Sequence, residues 1–335
     1  MGVTFLIGNG FDLNLGMKTR YTDMYDSYIK SKSKSTVIDK FKKDLQKEEH
    51  NHYENWSDFE IALTEYAKTF ANENEMIECV RDFKGCMVSH LIEENNKISE
   101  LINKNESPYI IVTELNRSFE NFYEGLTPND INLIKSVMAG SVKVINYITF
   151  NYTSTLEMLL ELDGRKRQVF ENTPIHIHGN LEDSIVLGVD NLEQLKDVPF
   201  PITIKGARAF VKTVFNEQFD KNKIALAKQT ITKSDIICVF GFSMSDTDKM
   251  WVDSLTAWLL ENEKHQLIVY QYEDKEYHNY NYDEIMDIED ERKIQLLDKL
   301  GIESTNVLEQ LHIPVGRKIF NFKFVKTTSQ FRPIG

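Results

Sequence analysis

Cysteine is scarce, and its spacing forms no pattern: Cys79, Cys86 and Cys238 are the three in the chain, and no two make a Cys-x-x-Cys unit. An odd number without that spacing supports neither a disulfide framework nor a four-cysteine zinc site, so all three read as reduced core thiols. Basic charge is in deficit as well. With 39 Lys and Arg against 52 Asp and Glu, the net charge of -13 leaves no overall basic footprint for long nucleic-acid contacts, and nucleic acid is not an expected partner. Long apolar runs are also missing. The longest, around Ile236 to Phe240, falls far short of the roughly 20 residues of a membrane span. The first residues lead straight into Val3-Thr4-Phe5-Leu6-Ile7 without the basic flank of a secretory signal, and Leu6 stands where a myristoylation motif needs Ser or Thr. A cytoplasmic protein without a membrane partner is the expectation.

What is present is a soluble globular composition over 335 residues, enough for one elaborated domain or two ordinary ones. Short β-branched and aromatic runs predict strands at Val3 to Ile7, Val142 to Phe150, Ile175 to His178, Ile185 to Val189, Ile236 to Phe240, Gln266 to Gln271 and Ile319 to Phe324. Helical patterns flank several of them, which favours an α/β fold with a mainly parallel sheet and a ligand crevice at the carboxyl ends of its strands. From about Tyr21 to Val137 the apolar residues Tyr25, Tyr28, Phe41, Phe59, Leu63, Phe70, Met76, Val80, Phe83 and Met87 recur at spacings near three and four. That is a large helical insertion after the first strand-helix unit, and Ile110, Val112, Leu115, Phe119 and Phe122 continue its period. The expected division is an α/β core of residues 1–20 and 138–335 with an insertion at 21–137. The charge-rich stretches Lys30 to Glu49 and Glu273 to Glu291 read as solvated surface or loop.

Four strand ends carry polar groups. After the first strand come Gly8-Asn9-Gly10-Phe11-Asp12 and then Gly16. Close glycines let a backbone approach a phosphate while the next helix offers free amides, and the same residues equally suit a tight turn with Asp12 as helix cap. The second end, Thr149-Phe150-Asn151-Tyr152-Thr153, places Asn151 at a strand's carboxyl terminus or has it cap the next helix. In the third, His176-Ile177-His178-Gly179, alternation puts both histidines on one face. No third ligand has an identifiable spacing, so no metal is expected, and a hydrogen-bonded core histidine suits His176. The fourth is Gly241-Phe242-Ser243-Met244-Ser245-Asp246-Thr247-Asp248, where Ser243 and nearby amides could hold phosphate or ribose oxygens and Asp246 or Asp248 could cap a helix.

In this order the four stations resemble the sirtuin-like, Rossmann-like NAD-binding fold. The chain as a whole resembles the AbiH family of bacterial phage abortive-infection proteins, through Ile7 to Asp12 with Gly16, Trp56-Ser57-Asp58-Phe59-Glu60, Phe150 to Thr153, His176 to Gly179 and Gly241 to Asp246. The sirtuin resemblance implies NAD as ligand or substrate. It matches Gly8, Gly10 and Gly16 to the phosphate loop, Asn151 to the motif Asn, His178-Gly179 to the His-Gly pair, and Gly241-x-Ser243 to a Gly-Thr-Ser turn. It further implies hydrolysis of NAD to nicotinamide and ADP-ribose, with Asn151 and His178 as catalytic residues. Gly8, Asn9, Gly10, Asp12, Gly16, Thr149, Gly179, Gly241, Ser243 and Asp246 form the binding set. Asp58, Glu60, Arg20 and His176 stand as accessory candidates, and Asp58 and Glu60 equally suit the exposed face of a helix. Three departures qualify the match. The sirtuin zinc cysteines have no counterpart, Thr153 replaces an Asp, and Asp12 replaces a Ser. A carboxylate about 4 Å from a phosphate charge costs on the order of 4 kcal/mol at an effective dielectric near 20. Asp12 must therefore turn along its helix as a cap, be offset by Lys18 or Arg20, or belong to a site for another ligand. The rival readings are a non-catalytic nucleotide sensor and a metal-dependent nuclease. A homo-oligomer and a phage-derived trigger complete the expected partners.

Overall fold

The computed structural model describes residues 2–47, 56–104, 108–139, 144–162, 173–219, 221–271, 277, 280–316 and 319–322. Six strands, β1 (Gly2–Ile7), β2 (Val144–Thr149), β3 (Ile175–His176), β4 (Ile236–Phe240), β5 (Gln266–Tyr270) and β6 (Leu311–His312), form one sheet in the order β3-β2-β1-β4-β5-β6. Every pairing is parallel, with Ile7 opposite both Thr149 and Phe240. The order runs outward in both directions from β1 and β4. The carboxyl ends of these two neighbours therefore flank the point where the connections diverge, the usual place for a crevice.

Helices cover both faces. They are α1 (Gly10–Asn14), α2 (Tyr21–Lys30), α3 (Thr36–Lys47), α4 (Trp56–Ala67), α5 (Glu73–Lys104), α6 (Pro108–Glu120), α7 (Pro128–Met138), α8 (Thr155–Leu162), α9 (Ile204–Phe210), α10 (Lys212–Phe219), α11 (Lys221–Thr232), α12 (Lys249–Glu261) and α13 (Tyr282–Leu300). Strand alternation sorts the core between them. Val3, Phe5, Ile7, Tyr147 and Cys238 pack with Phe119, Ile134 and Leu159 of α6, α7 and α8, and with Phe122 of the turn after α6, on one face. Leu6, Ile148, Val239 and Val269 pack with Ile231, Trp251, Leu255, Trp258 and Leu296 of α11, α12 and α13 on the other. No helix among the described residues is long and apolar enough to cross a membrane.

The helices from Tyr21 onward divide their side chains between two cores. Tyr21, Tyr28, Phe41, Phe59, Phe83 and Met87 join Ile185, Leu187, Val189, Leu195 and Phe210 in a separate cluster. The end of α5 (Ile98, Ile102) and all of α6 and α7 lie instead against the sheet. Ile110-Ile111-Val112 is helical, as its spacing predicts.

Several expected elements differ. Ile185 to Val189 is not a strand; it makes two isolated bridges, to Gly179 and Val211. Gly188, at φ 144°, bends the run so tightly that a Cβ would meet the Phe210 carbonyl. Ile319 to Phe322 is not a strand either, while residues 323–324 lie outside the described part. Phe320 takes φ 54° and plugs an aromatic nest of Phe5, Phe11, Phe119 and Phe240. Its apolar alternation reflects core filling without strand pairing. β3 stops at His176, short of His178, and the two-residue β6 has too little sequence to announce itself. Lys30 to Glu49 contains α3, which buries Ile38, Phe41 and Leu45 and also Lys42, whose Nζ donates to the Ser31 carbonyl at 2.9 Å over the Tyr28 ring. Glu273 to Glu291 runs into α13, which buries Glu289, Leu296, Leu297 and Leu300 at helical spacing; residues 273–276 lie outside the described part. The cysteines are free thiols, Cys79 and Cys238 buried and Cys86 half-buried.

Candidate functional site

Three loops meet at the carboxyl edge of the sheet. The β1–α1 turn and the loop after β4 press backbone to backbone: the Gly8 amide donates to the Phe240 carbonyl at 2.9 Å and the Gly10 amide to the Gly241 carbonyl at 3.2 Å. A Cβ on Gly8 would lie 2.3 Å from the Gly241 carbonyl oxygen, and one on Gly10 2.5 Å from the Gly241 Cα. The glycines at 8, 10 and 241 are thus required by mutual contact of the two loops, with Gly241 at φ 68°. Gly16, at φ 88° and exposed, ends α1. Asn9 does not cap the helix with its side chain. Its Nδ2 donates to the Thr19 carbonyl at 3.0 Å and its Oδ1 accepts from Thr19 Oγ1 at 2.6 Å, pinning the turn to the Met17–Arg20 strap. α5 holds the same strap through Glu94, which accepts from the Lys18 amide, and His90, which meets the Lys18 carbonyl. Asn9→Ala should cost about 1–2 kcal/mol for two lost hydrogen bonds. Urea unfolding would measure it, and an unchanged midpoint would show that the pin contributes nothing.

Asp12 points inward, neither along its helix nor toward a cation. Its carboxyl is 1% exposed and accepts from Thr153 Oγ1 at 2.6 Å, while Lys18 and Arg20 are exposed and make no ion pair with it. The other oxygen, Oδ1, has no hydrogen-bond partner. Burial pushes the Asp12 carboxyl up to about 7 against the opposing pull of Thr153, Thr155 and Asn151, and the Glu157 charge adds to the rise. Thr155 and Asn151 approach without full bonding geometry, and Thr155 Oγ1 turns to Met17 Sδ instead.

Asn151 lies beside it, 7% exposed, with its amide on Thr149 Oγ1 and its Oδ1 buried without a partner. The Asn151 carbonyl faces His176 Nδ1 at 2.8 Å, and His176 Nε2 lies 2.5 Å from Glu157 Oε1. Both ring nitrogens of His176 meet acceptors, so this histidine is tied into the β2–α8 turn as a structural link. Glu157 Oε2 is a further buried oxygen without a partner.

Across the Phe150–Thr153 turn stands His178, its ring edge-on to Phe150, which itself stacks on Phe242 at 3.7 Å. Gly179 holds φ 79°, and a Cβ there would strike the Ser184 carbonyl. His178 Nε2 is 2.9 Å from Asp248 Oδ1 but off the line a hydrogen bond needs. The same Asp248 oxygen lies 3.1 Å from Lys212 Nζ, which also reaches Glu60 Oε2 at 2.8 Å and the Thr247 carbonyl at 3.1 Å. Burial works against the charge on Lys212, yet the carboxylates of Asp248 and Glu60 hold its ammonium above the ordinary range. Burial likewise opposes the Asp248 charge, and Lys212 and His178 outweigh it to keep that carboxyl well below the usual carboxylate range. Asp190 nearby is raised by burial, with Lys212 partly offsetting this.

Glu60 thus reaches the site from the insertion and does not face solvent. The Asp58 side chain lies outside the described residues. Ser243 and Asp246 are exposed on the outer side of the β4–α12 loop, with the Ser243 carbonyl facing Lys299, and do not join the buried cluster. Sequence reasoning does not single out Lys212, Asp190 or Glu157. A lone lysine within Ala209-Phe210-Val211-Lys212 and an acid closing the apolar run at Asp190 are the signals that mark two of them. Among the described residues no group of three or more His, Cys, Asp or Glu side chains is placed to hold a metal ion.

No curated protein and no solved structure matches the chain. One family model, described as Bacteriophage abortive infection AbiH, matches residues 4–270. That span takes in β1 to β5 and every loop of the site, and the chain belongs to the AbiH family.

Proposed function

We propose that the protein is an abortive-infection effector that binds NAD at the carboxyl edge of a Rossmann-like, sirtuin-like sheet and hydrolyses it. The observation that carries this reading is the pair of buried polar atoms without hydrogen-bond partners on adjoining loops, Asp12 Oδ1 and Asn151 Oδ1, across the turn from His178. Each costs about 1–3 kcal/mol to leave unsatisfied, a cost folds tolerate where a ligand or a reaction uses the atom. In the proposed reaction the bond from the ribose anomeric carbon to the nicotinamide nitrogen breaks and its electron pair leaves with nicotinamide. Water oxygen takes the vacated carbon, and its proton passes to His178, which stands beside the Asp248 carboxylate. Asn151 orients the ribose hydroxyls and the water. Asp12, half neutral near pH 7, lets a phosphate approach the β1–α1 turn.

Asn151 and His178 are only 7% and 6% exposed, so this is a shut resting form. A shut form suits an enzyme whose activity would deplete its own cytoplasm, with opening on a phage-derived trigger or on self-association. Nicotinamide release from NAD by the purified protein, followed chromatographically with and without infected-cell extract, is the test. Asn151→Ala and His178→Ala should each slow release by about a hundredfold or more. No release under any condition would sink the enzyme reading. A sensor that binds NAD without turnover is favoured by one observation, the Gly8 and Gly10 amides already occupied by the β4 loop; tight NAD binding without nicotinamide release would establish it.

A further inference from the structure

A cavity of about 310 Å³ lies away from the sheet edge, lined by Arg81, Lys84, Lys205, Arg208, Ala209 and Phe215. Its charge is one-sided in a chain whose net charge is -13. The four cations come as two pairs on packed helices: Arg81 and Lys84 on α5, Lys205 and Arg208 on α9. Members of each pair are three residues apart and so share a helix face, where like charges repel. Among the described residues none of the four is in an ion pair. Lys205 Nζ donates to the neutral Asn74 Oδ1 at 3.3 Å and Arg208 Nε to the Ile204 carbonyl at 3.3 Å. Lys84 Nζ sits over the Phe215 ring at 5.6 Å. The nearby carboxylate of Glu73, which touches Gly206, is taken at both oxygens by the amide and hydroxyl of Thr203. Burial and the Arg81 charge push the Lys84 ammonium down to about 8, so the protein itself leaves this positive charge uncompensated.

We infer that this cavity is a binding site for a diphosphate group, separate from the crevice at the sheet edge. Four convergent donors, two of them guanidinium forks suited to bidentate phosphate contact, supply the charge a diphosphate carries. The concave shape and the Phe215 wall suit a small ligand and not an extended polyanion lying on the surface. The diphosphate could be free or part of a nucleotide. Phe215 and Lys212 stand one turn apart on α10, so ligand here touches the helix that carries the central cation of the His178 network. This inference rests on the cation cluster alone and stands whether or not NAD is cleaved.

Titration calorimetry on the full chain with pyrophosphate, ADP, adenosine and a single-stranded RNA oligomer tests it. Pyrophosphate and ADP should each bind one per chain and weaken as salt rises. Lys84→Glu and Arg208→Glu should each lower affinity about tenfold or more, while Asn151→Ala leaves pyrophosphate binding unchanged. Arg208 is exposed, so its variant should keep the wild-type unfolding midpoint and separate ligand loss from misfolding. ADP tighter than pyrophosphate identifies a nucleotide site, and equal affinity a site for the diphosphate alone. No pyrophosphate heat, binding indifferent to Arg208→Glu, adenosine binding as well as ADP, or RNA displacing pyrophosphate at lower concentration would each overturn the inference.

Discussion

Lys212→Met should lower the stability of the chain by about 3–5 kcal/mol, because it removes the cation placed between Glu60 Oε2 and Asp248 Oδ1 and leaves two buried carboxylates with only His178, beside Asp248, to offset them. Glu60 is 3% exposed and Lys212 4%, so solvent cannot take over. The loss should exceed that of any surface ion pair in the molecule, such as Lys43–Asp39, where water and salt screen both charges. Adding Glu60→Gln to Lys212→Met should recover part of the loss, since it deletes one of the orphaned charges, and the Gly188 amide can still donate to the remaining carbonyl oxygen. Chemical denaturation of the two variants measures both effects. A loss under about 1 kcal/mol for Lys212→Met, or a double variant less stable than the single, would show that the network does not hold the insertion to the sheet edge as its geometry implies.

That network also marks the limit of what the sequence reveals. β1, β4 and β5 are legible because both of their faces are buried, so Val3 to Ile7, Ile236 to Phe240 and Leu267 to Tyr270 stand out as apolar runs broken only by Thr4. The clustering of Asn151, His178 and Gly8 at one edge is legible from strand order: Gly8 directly follows β1, Asn151 and His178 each lie two residues past β2 and β3, and parallel strands bring their carboxyl ends together. Lys212 is not legible, since its partners Glu60 and Asp248 lie 152 and 36 residues away and nothing local requires a lysine there. The role of the glycines is half legible. Spacing signals a turn without side chains at Gly8 and Gly10, but a phosphate and the Gly241 backbone both demand that, and only the packing of the two loops shows which neighbour is there. Ile185 to Val189 and Ile319 to Phe322 mislead because burial alone produces strand-like alternation where Gly188 or Phe320 diverts the backbone.

The stability gained by Asp12→Asn should grow with pH. In the folded chain burial raises the carboxyl from 3.8 to about 7, so between those values the native state holds a proton that the unfolded state has released. Stability from this group is then complete below about pH 4, declines as pH rises, and is fully lost above about pH 7, at roughly 1.4 kcal/mol per unit or on the order of 4 kcal/mol in all. The introduced amide keeps the shape, still accepts from Thr153 Oγ1, and carries no titration. The variant should match the wild type near pH 4 and be the more stable protein at pH 8. Asp248, depressed by Lys212 and His178, contributes with the opposite sign, but its stability is lost only as pH falls through the acid range below about 4, so the two windows separate. A stability difference between Asp12→Asn and wild type that stays flat from pH 4 to 8 would show that Asp12 is already charged, or already neutral, throughout. The same titration bears on the proposed chemistry. If a phosphate approaches the β1–α1 turn, ligand binding by the wild type should weaken as Asp12 ionises above pH 7, while binding by Asp12→Asn should lose that dependence. Only a carboxyl facing the ligand gives both results, because a buried carboxyl remote from the ligand would shift stability and leave affinity unchanged.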